Sequence, residues 1–219
     1  MGLSMRRLLS LKLAAQAGLV VGLLGLMGGV WGQTFTGSLR SQQISMGKDL
    51  AAERCAVCHG EQGQSVAPDF PRLAGQNAGY VLKQLKDFAT GARISHTMGD
   101  KAKQLSEEQM FAIGLFYQSM RPSLTQAVDP KLEQVGEFVY ERGNAHTSMP
   151  ACVICHGTAA RGTTELPRLA GQHPDYIVRQ MKAFKDRSRN NDNAIMHLVA
   201  DRITELELQA VAAYLGGLK

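Results

Sequence analysis

The sequence predicts an all-helical chain of two tandem homologous domains behind an apolar N-terminal segment. Three observations predict it. The string Pro71-Arg72-Leu73-Ala74-Gly75-Gln76 returns unchanged as Pro167-Arg168-Leu169-Ala170-Gly171-Gln172. Apolar residues recur at helical spacing in both halves, with no strong alternating strand. Residues Leu13 to Trp31 carry no charge and one amide, Gln16.

The first element is residues 1–32, read as a signal peptide or an uncleaved membrane anchor. Arg6, Arg7 and Lys12 form a basic flank with no acid, which keeps the N-terminus in the cytoplasm and sends the body across the inner membrane. The apolar run exceeds a normal signal core of about 7–15 residues and approaches the roughly 20 of a span. Gly18/Gly22 and Gly25/Gly29 have a helix-packing spacing, or are ordinary small residues of a signal region. Either outcome places the body in the periplasm, free or tethered to the inner membrane by residues 13–31. Residues 33–45 are polar and read as a linker.

Domain 1 is read as 46–129 and domain 2 as 130–219. Short helices over Met46–Arg54 and Lys131–Arg142 precede the cysteine motifs. Asp129-Pro130 starts the second domain, with Asp as cap and Pro at the first helical position. Val81, Leu85 and Phe88 form a helical stripe after the first PRLAGQ string. Ser106-x-x-Gln109 and Thr204-x-x-Glu207 are capping boxes ahead of the last helix of each half. Tyr80, Gln84, Lys86, Phe88, Arg93 and Met98 return as Tyr176, Gln180, Lys182, Phe184, Arg189 and Met196. Two repeats are too few for a solenoid and read as two separate domains.

All four cysteines lie in Cys55-Ala56-Val57-Cys58-His59 and Cys152-Val153-Ile154-Cys155-His156. C-x-x-C-H is the attachment sequence of c-type haem. Two thiols one helical turn apart can each bond a vinyl carbon of one porphyrin, and the adjoining imidazole reaches the iron. Disulfides and a zinc site explain the thiols less well, because each leaves the repeated histidine without a purpose, and a thioredoxin-like pair lacks its strand context. Two covalent haem c groups are therefore expected, with His59 and His156 as metal ligands. Met98 lies 39 residues after His59 and Met196 lies 40 after His156. They are the expected second axial ligands, and His96 and His197 are the rivals. Met46, Met110, Met120, Met149 and Met181 have no counterpart in the other repeat and read as packing or surface residues. His146 and His173 read as exposed polar residues.

Pro71 and Pro167 are read as carbonyl supports for the proximal imidazoles or as plain turn prolines. Arg72, Arg168, Arg93 and Arg189 are read as propionate contacts or as solvated charges. Tyr80 and Tyr176 bond at the pocket or between domains, or fill the helix core.

The doubled CxxCH, Pro150-Ala151-Cys152 leading into CxxCHG, the PRLAGQ string with its following Tyr, and the Met before a helix ending Tyr-Leu-Gly-Gly-Leu together resemble the dihaem cytochrome c4 family. The resemblance covers about Met46 to Lys219. It implies two class I cytochrome c domains about a pseudo-twofold axis, with haems close enough to exchange electrons through propionate contacts. It implies a periplasmic or membrane-bound carrier between quinol–cytochrome c reductase and a terminal oxidase or small soluble carrier. The first repeat departs from the second by two fewer residues between Arg93 and Met98.

Composition narrows the function. The 219 residues carry a formal charge of +5, with 24 basic and 19 acidic residues. Setting aside the three basic residues of the leader leaves 21 against 19. A near-neutral body argues against nucleic acid as a partner. Six-coordinate iron has no vacancy for substrate, so an electron carrier is expected and not an enzyme. The alternatives are a subunit fixed to a larger oxidoreductase or oxidase, or a dihaem enzyme such as a peroxidase. A thiosulfate-oxidising enzyme is weakened because no cysteine remains outside the motifs.

Overall fold

The computed structural model of the chain describes residues 37–65, 67–122 and 129–218. The apolar segment 13–31 lies outside them. The described residues form helices and no strand; one isolated antiparallel bridge joins Asn144 and Met149. Helix α1 covers 37–54. Then follow α2 (Ala56–His59), α3 (Ala78–Thr90), α4 (His96–Ala102) and α5 (Glu107–Ser119). The second half repeats the order with α6 (Pro130–Arg142), α7 (Val153–His156), α8 (Pro174–Lys185), α9 (Ile195–Arg202) and α10 (Glu205–Gly217). Among the described residues, no helix is long and apolar enough to cross a membrane.

Local chemistry sets the boundaries. Both capping boxes form: Ser106 with Gln109 starts α5, and Thr204 with Glu207 starts α10. Asp129 accepts from the Lys131 amide at 2.9 Å, with Pro130 in the first turn of α6. Residues 37–45 differ from expectation, because they are helical where composition suggested a tether. A polar sequence predicts exposure, not coil. Extending an established helix adds one hydrogen bond per residue without a new nucleus.

Each half closes its own core. In the first, Val81 and Leu85 of α3 meet Met110, Ile113, Phe116 and Tyr117 of α5. In the second, Ile177 and Val178 of α8 meet Val139, Tyr140, Leu208, Val211 and Leu215. The first helix of each half crosses the last at a glycine. A Cβ on Gly47 would lie 2.0 Å from the Ala112 carbonyl oxygen, and one on Gly136 would lie 2.0 Å from that of Ala210. These crossings anchor the helix that feeds each cysteine motif.

Candidate haem-binding sites

Each CxxCH motif is a single helical turn. The Cys55 carbonyl accepts from Cys58 N at 3.2 Å and His59 N at 2.9 Å; the Cys152 carbonyl accepts from Cys155 N and His156 N at the same 3.2 and 2.9 Å. The turn brings both thiols of a motif to one side. Gly60 and Gly157, at φ +80 and +77°, then reverse the chain in the left-handed region. All four cysteines are free thiols. Burial pushes the Cys55 thiol up and the Cys152 thiol up to about 11. Val57 and Ile154, between the cysteines, are 97% and 75% exposed.

Both motif histidines are buried. His59 Nδ1 lies 2.9 Å from the Pro71 carbonyl oxygen, and His156 Nδ1 lies 3.4 Å from that of Pro167. A carbonyl oxygen only accepts, so Nδ1 carries the proton and Nε2 keeps its lone pair. Burial lowers both pKa values below the ordinary imidazole range, partly opposed by the proline carbonyls. A neutral imidazole with a free Nε2 beside two free thiols fits a covalently held haem iron. Among the described residues, no three His, Cys, Asp or Glu side chains cluster for an ion.

Met98 sits in α4, half-buried, against the same cluster as Cys55. The Ser95 hydroxyl caps its amide at 3.3 Å. Met196 sits in α9, and Asp192 Oδ2 accepts from its amide at 2.5 Å and from the His197 amide at 3.3 Å. The two rival histidines differ in their surroundings. His96 is exposed. His197 Nε2 donates to the Arg189 carbonyl at 2.9 Å. Met110 and Met149 are buried in the cores, while Met120 and Met181 pack against them.

The remaining predicted residues meet along a polar seam between the halves. Arg93 donates to Gln84 Oε1 at 2.6 Å, to Gln180 Oε1 at 2.6 Å and to the Tyr176 hydroxyl at 3.0 Å. Arg189 mirrors it, donating to Gln180 Oε1 at 2.7 Å, the Tyr80 hydroxyl at 3.1 Å and Asn191 Oδ1 at 3.1 Å. Tyr80 and Tyr176 thus bond between the halves. Arg72 donates from its guanidinium to the Gly171 carbonyl at 2.8 Å, whereas Arg168 Nε bonds Ala170 within its own half. Gln76 and Gln172 each bond the main chain of the arginine in the opposite string.

One expectation is corrected here. His173 is not an exposed polar residue: it is 7% exposed and donates from Nε2 to the Ser65 carbonyl across the seam at 2.9 Å. Its counterpart Asn77 donates to the Arg161 and Leu166 carbonyls at 2.9 Å each. Sequence reasoning also missed Asn191, which donates to Gln84 and Asp87. The one available signal was the identical recurrence of Gln76 and Gln84 as Gln172 and Gln180.

Fold and motifs together define a double c-type cytochrome, and comparison with known proteins agrees. A family model for cytochrome c matches residues 44–123 and again 140–219. Cytochrome c4 of Azotobacter vinelandii is 35% identical over 177 residues, covering 75% of this chain and 84% of that protein. The thiosulfate dehydrogenase electron acceptor of Thiomonas intermedia is 41% identical over 169 residues, covering 75% and 78%. The crystal structure of reduced cytochrome c4 from Pseudomonas stutzeri superposes with a TM-score of 0.74 at 33% identity, covering 79% of this chain and 97% of that one.

The chain belongs to the cytochrome c4 family: a dihaem electron-transfer protein with two covalently attached haem c groups, and not an enzyme.

Proposed function

We propose that this protein ferries electrons in the periplasm from a respiratory donor, such as quinol–cytochrome c reductase, to a terminal oxidase or small soluble carrier. Each haem, when bound, supplies a one-electron ferric–ferrous couple. Cys55 and Cys58 would hold the first, and Cys152 and Cys155 the second. His59 with Met98 and His156 with Met196 would be the residues that ligate the two irons. A thioether ligand raises the potential relative to bis-imidazole ligation. Arg93 and Arg189 meet only amide and phenol oxygens in the bonds described above, which leaves their charge available to propionates; Arg72 and Arg168 are further candidates. The domains are 46–129 and 130–219, a division supported by the Asp129 cap and by α6 packing on α10 through Gly136. Periplasmic residence is supported by the basic and apolar leader, whose cleavage or retention decides whether the body is tethered.

The observation that carries this reading is the doubled buried imidazole held at Nδ1 by a proline carbonyl beside two free thiols. Docking faces are small and transient, on the order of 1,200 Å² or less. Residues 33–129 hold ten basic and nine acidic side chains, and 130–219 hold eleven and ten. Net charge therefore does not assign either half to donor or acceptor. A second reading is favoured by the Thiomonas relative's name: service as electron acceptor of a dehydrogenase.

The test is an optical redox titration of the haem-loaded protein, following the far-red methionine–iron band. Two low-spin haems that both carry the band are expected. Met98→Ala should remove it from one haem and Met196→Ala from the other. An unchanged band in either variant removes that ligand. Comparing reduction rates with quinol–cytochrome c reductase and with a thiosulfate dehydrogenase separates the two donors.

A further inference from the structure

We infer that Gln76 and Gln172 are positioning residues for the proximal histidines of the opposite halves, so that each half tunes the potential of the other's haem. This rests on His59 and His156 being iron ligands. The peptide joining Pro71 to Arg72 is hydrogen-bonded at both ends. Its carbonyl accepts from His59 Nδ1 at 2.9 Å, and its N–H donates to Gln172 Oε1, in the other half, at 2.8 Å. The peptide joining Pro167 to Arg168 does the same. Its carbonyl lies 3.4 Å from His156 Nδ1, and its N–H donates to Gln76 Oε1 at 2.7 Å.

Carbonyl and N–H of one amide are conjugated. Drawing charge from the N–H end makes the oxygen a better acceptor, by roughly 10–30% per bond in hydrogen-bonded chains. The glutamines are well placed to do this. Both are buried, at 6% and 7% exposure. Gln172 Nε2 also donates to the Arg72 carbonyl, and Gln76 Nε2 to the Arg168 carbonyl, both at 2.9 Å. Each Oε1 further accepts the next main-chain amide, His173 N or Asn77 N, at 3.0 Å. The side-chain amide is thus held at both ends and its orientation is fixed.

A stronger bond at Nδ1 makes the imidazole a better electron donor, which stabilises ferric iron and lowers the potential. Loss of the glutamine acceptor weakens that bond and raises the potential, but in the opposite half. The first haem should respond more, because the His59–Pro71 bond is shorter than the His156–Pro167 bond.

The experiment uses the full haem-loaded chain, with Met98→Ala and Met196→Ala assigning each redox wave to its half. Gln172→Met should move the first haem's wave upward and leave the second in place; Gln76→Met should do the reverse, by a smaller shift. Proton NMR should show the proximal Nδ1–H resonance moving in the same crossed pattern. Gln172→Glu offers a charged acceptor to the Arg72 N–H and should move the first wave downward, more than the second. A merely loosened seam would give both substitutions the same sign. Waves that shift equally, shift in the mutated half, or do not shift overturn the relay. If the unmutated protein lacks two low-spin histidine-ligated haems, the ligand reading fails before any glutamine is changed.

Discussion

Gly136→Ala tests whether close helix crossing holds the second haem domain together. The added methyl carbon would lie 2.0 Å from the Ala210 carbonyl oxygen, 2.5 Å from its carbon and 2.8 Å from Tyr214 Cβ. Ordinary contact begins near 3.4 Å, so α6 and α10 must part by about 1.4 Å in a close-packed interior. Two of the three atoms are backbone and cannot rotate away. Overpacking of this kind costs about 3 kcal/mol, the upper part of the usual range. Removing a helical glycine returns about 1 kcal/mol, leaving a net loss of about 2 kcal/mol. For a domain of this size each kcal/mol moves the midpoint by roughly 4–8 °C, so a fall of about 8–16 °C is expected. Far-ultraviolet circular dichroism of the haem-loaded protein measures the midpoint, and the same melt in a Met98→Ala background, where only the second haem is expected to carry the far-red band, reports the second domain. Gly99→Ala is the control, because its nearest neighbour, the Phe88 carbonyl oxygen, would be 3.6 Å away. A Gly136→Ala melt within about 2 °C of the unmutated protein would refute the crossing as a structural constraint.

Two further outcomes test the seam. Arg189→Met keeps a stem over the Phe184 ring, which the guanidinium carbon approaches at 4.4 Å, but strands the Tyr80 hydroxyl and Asn191 Oδ1 and leaves Gln180 Oε1 with Arg93 alone. Leaving such groups unpaired costs about 1–3 kcal/mol, so calorimetry should show a lowered transition that splits into two; one unchanged transition counts against the network. Burial and the nearby Arg72 charge hold the His173 pKa below its ordinary 6.5. The folded state therefore prefers neutral His173, and its contribution is full above pH 6.5 and lost as pH falls through the lowered value. His173→Asn should flatten the melting midpoint against pH in that acid window, and an identical pH profile in the variant would exclude His173 as its source.

The haem sites were legible in the sequence because their chemistry is local. Two thiols and an imidazole lie within five residues and form one helical turn in both motifs, and the capping boxes at Ser106 and Thr204 act over three residues. The repeat pairs Met98 with Met196 as the candidate second ligands, at 39 and 40 residues after their histidines. The seam was not legible, since its bonds join residues far apart in the chain, such as Arg93 to Tyr176 or His173 to Ser65. No periodicity encodes such a contact. His173 illustrates the difficulty: a histidine before a proline at a helix start has the signature of an exposed turn, and only the second half's docking buries it. Recurrence of Gln76 as Gln172 marked those positions without saying what they touch.

The symmetry of the molecule is uneven. At the histidine motifs the halves share the same turn geometry, the same proline carbonyls and the same glutamine clamp, with a longer histidine–proline contact in the second half, 3.4 against 2.9 Å. The segments around Met98 and Met196 do not match. Ser95 alone caps Met98, whereas Asp192 holds two amides beside Met196 and lies 3.4 Å from the His197 ring. His96 is free in solvent, whereas His197 is tied to the Arg189 carbonyl. Ile94 is exposed just before α4, and Ile195 and Leu198 are exposed on α9. A seam built from main-chain and amide hydrogen bonds fixes the relative orientation of two already closed cores, which apolar packing alone does not specify. Among the described residues near the sites, the halves therefore differ most in the segments around Met98 and Met196 and agree most along the seam that fixes their relative orientation.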